Sequence, residues 1–306
     1  MKKTILLIIS SLIIISGCSS GVDSLKNRKD EPFSQEVETK YEKAQKLFEQ
    51  KSYDEAASEL DDLLPEAKNR GQREKIMFLL AESYFYLEYN EDADSLYAGY
   101  LNEFPNTKHF NEVLSHMFEV GFRFINGAKQ SLFGLYILSA EYKGIEIVRS
   151  LLNQFPYAPN SEKNHLKLIE YFARQKDYDE LRKEYDIFIE VYPGSDSVPL
   201  ANFRIADSYL AEYQGPEYDS ATLNLAERLF KRFLEKHPSN AFSTEAVKKL
   251  TRIASHKAER DFLVADYYLR TGSKSSARIA FQNIVRDYPE TEWTEKAQKI
   301  IPTIKD

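Results

Sequence analysis

Five of the chain's 11 prolines end helix-like stretches, at Phe104-Pro105, Phe155-Pro156, Tyr192-Pro193, His237-Pro238 and Tyr288-Pro289. Counting back 12, 8 and 5 residues from each proline returns the same kinds of residue. The sets are Ala93, Tyr97, Tyr100; Gly144, Val148, Leu151; Leu181, Tyr185, Phe188; Ala226, Phe230, Phe233; and Ala277, Phe281, Ile284. At helical spacing each set falls on one face. The mostly small first residue lets a neighbouring helix come close, and the two bulky ones fill the seam. Proline then ends the helix, because it has no N–H and its ring collides with the preceding turn. A chain punctuated this way folds as repeated helix pairs that bury their apolar faces only against one another.

The partner helices carry their own mark, a small residue and an aromatic three apart, in Ala81-x-x-Tyr84 and Ala206-x-x-Tyr209. A degenerate first unit spans about 37–70, with Ala44, Leu47, Ala56 and Leu60 in place and Pro65 out of register. No convincing two-residue alternation appears, which argues for an all-α fold. The pattern resembles the tetratricopeptide repeat and implies a TPR-like right-handed α-solenoid of about six helix pairs. The prolines lie 37 to 51 residues apart, against about 34 for a standard unit. The excess falls in longer helices or loops, one candidate being Gly127 to Gly144 with its apolar run Leu132-Phe133-Gly134-Leu135-Tyr136-Ile137-Leu138.

The N-terminus has a different character. Lys2 and Lys3 precede an apolar run from Ile5 to Ile15, then Ser16-Gly17-Cys18, and Cys18 is the only cysteine. This is the layout of a secretory signal. The run is too short for a membrane span of roughly 20 apolar residues. Small residues before a lone Cys resemble a bacterial lipoprotein signal, which implies cleavage before Cys18 and acylation of its thiol and of the new N-terminus. A plain signal peptide with an incidental Cys is the alternative. The chain then divides into a lipoprotein signal peptide (1–17), a polar, lipidated flexible tether (18–36) and a TPR-like helical-repeat domain (37–306).

Composition narrows the function. Lys and Arg number 41 against 48 Asp and Glu, a formal charge of −7, and a cleaved leader would take away two more lysines. That balance argues against nucleic acid as a partner. One cysteine allows neither an intramolecular disulfide nor a Cys-based zinc site. The five His (109, 116, 165, 237, 256) sit in no metal-ligand spacing. No Gly-rich phosphate loop or G-x-S-x-G elbow is present. No catalytic residue, metal or cofactor is expected apart from the covalent lipid on Cys18. The chain reads as a binding scaffold and not an enzyme.

Two surfaces are candidates for binding. Residues three before and four after the small residue of a first helix are expected to face the concave groove. These are Tyr41 and Phe48 in the first unit, Phe78 and Phe85 in the second, and Phe203 and Leu210, with Asp207 beside them, in the fifth. Exposed aromatics on such a surface suit capture of an extended, aromatic-bearing peptide. The same stripe also reads as core. The second surface lies on a long helix from about Ser243 to Thr271, where Arg252, His256 and Arg260 recur every four residues as one basic ridge. Next to Tyr267 and Tyr268 it would dock an acidic partner. A solvated face shared with Glu259 and Asp261 is the competing reading.

Residues 198–291 carry a more specific resemblance. Phe242-Ser243-Thr244-Glu245-Ala246, Leu250, Ala258, Val264-Ala265-Asp266-Tyr267-Tyr268, Gly272, Ala277 and Asp287-Tyr288-Pro289-Glu290-Thr291 resemble the C-terminal repeats of the BamD family. Residues 37–107 are similar to its N-terminal repeats, 108–197 are divergent middle repeats, and 198–306 are BamD-like. The resemblance implies a lipoprotein of the β-barrel assembly machinery, anchored to the outer membrane on its periplasmic face. It implies N-terminal repeats that bind unfolded outer-membrane proteins and C-terminal repeats that dock on a BamA-like barrel subunit, with other Bam lipoproteins as neighbours. Ser19 after Cys18 fits outer-membrane sorting. Where the family usually has Arg-Leu before the small residue of the long helix, this chain has His256-Lys257 before Ala258, with Arg252 and Arg260 placed to substitute. Asp261 stands for the family's Glu, and about 160–195 reads as an extra helix pair. The alternative is another periplasmic TPR lipoprotein adaptor in envelope maintenance or division. The lack of an N-terminal heptad run argues against the Tol-Pal-associated type.

Overall fold

A computed structural model describes residues 31–132 and 135–305. The signal segment, Cys18 and the tether up to residue 30 lie outside the described residues. Thirteen α-helices are described: α1 (Gln35–Glu49), α2 (Tyr53–Leu63), α3 (Arg70–Tyr86), α4 (Asn90–Glu103), α5 (Phe110–Ile125), α6 (Glu141–Gln154), α7 (Ser161–Gln175), α8 (Tyr178–Val191), α9 (Val198–Ala211), α10 (Ala221–Lys236), α11 (Ser243–Arg270), α12 (Lys274–Asp287) and α13 (Glu292–Ile300). Taken in order they form six pairs and a closing helix; most connections are short, as suits antiparallel neighbours, and the one between α5 and α6 is the longest. The all-α, tetratricopeptide-like fold class holds.

The repeat positions explain the pairing. All fifteen residues counted back from the five prolines are buried. Gly144 shows why the first of each set is mostly small: a Cβ there would lie 2.5 Å from the Gly121 carbonyl oxygen and 2.8 Å from the Ile125 nitrogen. No side chain fits, so the glycine sets the distance of closest approach between α5 and α6. Before four of the prolines the residue adopts one geometry, φ −125°, −120°, −134° and −131° with ψ 61°, 57°, 56° and 54°, at Phe104, Tyr192, His237 and Tyr288. The proline ring crowds that residue out of the helical region, so the helix stops there. His237 is therefore a helix-end residue. Turns inside four pairs close on a left-handed residue: Lys51, Glu88, Lys176 and Gly272. Only Gly272 takes that conformation without a steric penalty.

One element departs from the all-helical reading. Residues 129–132 and 135–139 form two antiparallel strands, β1 (Lys129–Leu132) and β2 (Leu135–Ser139), pairing Lys129 with Ser139 and Leu132 with Leu135. The residues in excess of a standard repeat between Pro105 and Pro156 fall here. An apolar run without alternation does not distinguish a short strand from a helix or loop.

The chain divides into two compact units between Arg149 and Ser150. In the first, Ala44, Leu60, Leu63, Ile76 and Leu80 form the core of α1–α3. The buried Gln72 amide ties α3 to the start of α1, accepting from the Ser34 N–H at 3.0 Å and donating to the Ser34 carbonyl at 2.8 Å. Glu82 is also buried, and it accepts from the Tyr97 hydroxyl at 2.6 Å and pairs with His116 Nδ1 at 2.9 Å. Burial and the Glu82 carboxylate push the Tyr97 hydroxyl far above its usual pKa. In the second unit the 28-residue α11 serves two cores. Its Ala246 and Ile253 join Phe230 and Phe233 of α10, while Ala258 and Ala265 join Phe281 and Ile284 of α12. Arg182 pins α8 to α9 through two bonds to Glu212 (2.8 and 3.1 Å), with its guanidinium 4.2 Å over the Tyr209 ring.

Candidate functional site

In the first unit, one wall of α1 and the facing wall of α3 enclose an open cavity of about 770 Å³. The period of α1 points Glu38, Tyr41, Glu42, Gln45, Phe48 and Glu49 into it, while α3 supplies Glu74, Lys75 and Phe78. Lys108 and His109 close the far side. Three of the four aromatics expected from the sequence therefore meet in one cavity, each half-buried. Phe78 stacks on His109 at 3.8 Å, and Phe48 packs edge-on against Tyr53 (5.2 Å) and Tyr86 (5.8 Å). Lys75 lies over the Tyr41 ring at 5.8 Å and bonds Glu38 at 2.9 Å. Burial pushes the Glu38 carboxyl up, but hydrogen bonds from Lys75 and Gln72 outweigh it and hold it below its ordinary value of 4.5. Glu42 and Lys108 make no ion pair among the described residues, so both charges are free for a ligand.

The fourth aromatic does not belong to this cavity. Phe85 is 4% exposed, stacked on His116 at 4.0 Å and covered by the Arg123 guanidinium at 4.1 Å. Phe203, at 3% exposure, is likewise core, packed with Phe230 and Phe233; Leu210, at 7%, belongs to the same cluster but its edge also lines a pocket beside α11. The physical reason is shared. Positions three before and four after a helix residue lie on that residue's own face, and the small residue faces its partner helix.

The long helix is where the sequence placed it. Arg252 and Arg260 are exposed and His256 is half-buried. Arg252 Nε donates to His256 Nε2 at 3.4 Å, and His256 stacks obliquely on Tyr213 at 4.9 Å. These residues line a polar pocket of about 340 Å³ with Lys249, Asp207 and Glu259. Arg260 is not part of its lining; it donates to Ser220 Oγ at 2.5 Å. Of the neighbouring cations, Lys249 is taken by Asp207 at 2.6 Å and Lys257 by Glu227. Further along α11, Leu263, Val264, Tyr267 and Tyr268 are exposed, Tyr267 at 58%.

A pocket that the sequence reading missed adjoins this one. Leu166 and Ala173 of α7, Leu181 and Tyr185 of α8, and Leu200 and Arg204 of α9 line a space of about 480 Å³. Its signal in the sequence is the set Arg204, Asp207 and Ala211, on the face of α9 turned away from Ala206. Among the described residues no group of three or more His, Cys, Asp or Glu could hold a metal ion. No helix among them is long and apolar enough to cross a membrane.

Helix pairs with open, side-chain-lined grooves define the class: a helical-repeat binding scaffold of tetratricopeptide type. The chain belongs to the YfiO family of outer membrane lipoproteins, whose profile matches residues 139–306. The match takes in α6 to α13, including the pair α7–α8 that the sequence reads as an addition. Relatives described as outer membrane protein assembly factor BamD confirm the resemblance. That of Caulobacter vibrioides is 23% identical over 157 residues, covering 51% of each chain. That of Vibrio cholerae is 22% identical over 166 residues, covering 51% of this chain and 69% of the relative. That of Xylella fastidiosa is 22% identical over 153 residues, covering 47% and 52%. The chain thus spans about half the length of the first and third of these relatives. Among solved structures, a tetratricopeptide repeat protein from Parabacteroides merdae aligns over 89% of this chain and all of its own, at 12% identity and a TM-score of 0.36. The type IV pilus biogenesis factor PilW aligns over 87% of this chain, at 15% identity and a TM-score of 0.29.

Proposed function

We propose that this protein is a non-enzymatic lipoprotein scaffold that aids assembly of β-barrel proteins into the outer membrane. The observation that carries the reading is membership of the YfiO family over residues 139–306, with relatives described as BamD assembly factors. In this account the aromatic cavity of the first unit takes aromatic-bearing segments of unfolded barrel proteins on Tyr41, Phe48 and Phe78. The face of α11 that bears Arg252, His256 and Arg260 docks on a BamA-like barrel subunit, and other Bam lipoproteins complete the assembly. Support for the first role is the half-buried state of the three rings, which leaves each an edge or face for a peptide. Support for the second is that neither Arg252 nor Arg260 meets a carboxylate among the described residues.

Acylation of Cys18 would hold the body at the periplasmic face of the outer membrane. One acyl chain binds a membrane only marginally, whereas two or more anchor it stably. A multiply acylated Cys18 therefore frees the helical body for protein partners. Depletion should lower the levels of outer-membrane barrel proteins; unchanged levels contradict the assembly role. Cys18→Ser should move the protein out of the membrane fraction while its circular dichroism stays helical.

A further inference from the structure

We infer that the pocket on α7–α9 and the polar pocket on α11 form one groove for an extended segment of a partner protein. The segment carries an apolar side chain and, one to three residues on, a carboxylate. The inference rests on reading Arg252 as a docking cation, and it adds an apolar anchor site and a linear shape for the partner.

Continuity is the first observation. The two pockets share Asp207 and Ala211 of α9, so a chain leaving one enters the other. The floor of the first is apolar, with Leu181 and Tyr185 buried and Leu166 and Leu200 half-buried. A space of about 480 Å³ accepts a large aliphatic or aromatic side chain. The charge around the second is the next observation. Asp207 is already matched by Lys249 at 2.6 Å and has Arg204 at 3.7 Å, so it repels an incoming acid little. Glu259 stands 3.8 Å from His256, and Glu170, the third carboxylate of the groove, lies 3.8 Å from Arg174. Among the described residues Arg252 has only the His256 ring as a partner, which leaves most of its guanidinium fork open to a carboxylate. A third observation points the same way: the Tyr213 hydroxyl on this wall is buried with no hydrogen-bond partner among the described residues. A group left so in a native fold calls for a ligand or an ordered water.

An extended chain suits the groove better than a folded face does. It advances about 3.3 Å per residue, so neighbouring side chains reach neighbouring pockets while the backbone stays on the helix surface. A segment carrying Lys or Arg in place of the acid would meet Arg252 and Arg204 as like charges.

The test uses the full chain in detergent and a fluorescein-labelled Gly-Ser dodecapeptide with one Phe and, two residues on, Glu. Two further probes replace Glu by Lys or Phe by Ser. The expected result in fluorescence anisotropy is that each change weakens binding about tenfold. Arg252→Glu and Leu200→Glu in the protein should do the same, with unchanged helical circular dichroism, while Phe78→Ala should not. If Leu200→Glu fails to fold, Leu200→Ser gives the reading. Equal binding of the Glu and Lys peptides overturns the inference, as does unchanged affinity in the Arg252 and Leu200 variants. Loss of binding only in Phe78→Ala would place the peptide in the other cavity and also overturn it. A dimer in sedimentation that Leu200→Glu dissolves would make the occupant a second copy, with the same consequence. Failure of the docking reading looks different. If Arg252→Glu with Arg260→Glu leaves recovery of the barrel subunit intact while the peptides sort as expected, the groove stands and the barrel subunit is not its partner.

Discussion

The cavity between α1 and α3 and the groove along α9 come from the same repeat, yet their walls differ in charge. Four glutamates, 38, 42, 49 and 74, outnumber Lys75 and Lys108 around three aromatic rings in the first. In the second, Arg204, Lys249 and Arg252 stand with Glu170, Asp207 and Glu259 around an apolar floor, so its charges balance. Packing does not impose this difference. The repeat constrains only the residues in the seam, where Ala44, Ala81 and Ala206 are fully buried and the glycines 121 and 144 are forced together. Positions on the outer arc of the first helices make few packing contacts. They can therefore differ in charge at little cost to the fold.

The largest expected effects test whether core and groove have been separated correctly. Phe85→Ala should cost about 3 kcal/mol, read as a lower melting temperature, because the ring is enclosed by His116 and Arg123. An unchanged melting temperature would return Phe85 to the groove. Arg182→Ala should cost about 2–3 kcal/mol in the second unit. It leaves Glu212 unpaired and removes the cation over Tyr209. Phe78→Ala, by contrast, should lower stability little and weaken capture of an aromatic peptide about tenfold. A large drop in melting temperature would show that this ring is core as well.

The next effect concerns charge. Arg252→Glu with Arg260→Glu should weaken recovery of the barrel subunit from detergent-solubilised envelope while the helical signal stays intact. Unchanged recovery removes the basic face from the docking account. The smallest effect is on pH dependence. Burial raises the Glu227 carboxyl, but Lys231 and Lys257 overcome it, so Glu227, like Glu38, sits below its ordinary 4.5. A depressed carboxylate stabilises the fold above the unfolded-state value, and that contribution fades as the pH falls through the folded-state value. Melting temperature should therefore drop on acidification below 4.5. Glu38→Gln and Glu227→Gln should each flatten that drop. An unchanged slope in both would show that the two ion pairs contribute nothing.

Much of the fold was legible because proline and the small-residue positions act locally. Pro105, Pro193, Pro238 and Pro289 each end a helix through the residue just before them. The binding face was less legible. Counting from Ala206 led to Phe203 and Leu210, which share its buried face, with Asp207 beside them, and missed Arg204 and Ala211, which line the groove with Asp207. Tyr41, Phe48 and Phe78 reach the cavity from the same offsets only because they sit at the margin of that face. The strands β1 and β2 were hidden in an apolar run without alternation. Polar ties such as His165 to Glu184, 19 residues apart, leave no periodic trace. They depend on which helices meet, and no local pattern encodes that.

The measurement that bears most directly on two separate grooves of different charge is a cross of two variants with two probes. Phe78→Ala and Arg252→Glu, each in the full chain, would be titrated with an aromatic peptide free of acids and with the Phe-Glu peptide. The account predicts that Phe78→Ala loses only the first and Arg252→Glu only the second, each by about tenfold. Either variant losing both probes, or each losing the other's, would contradict it.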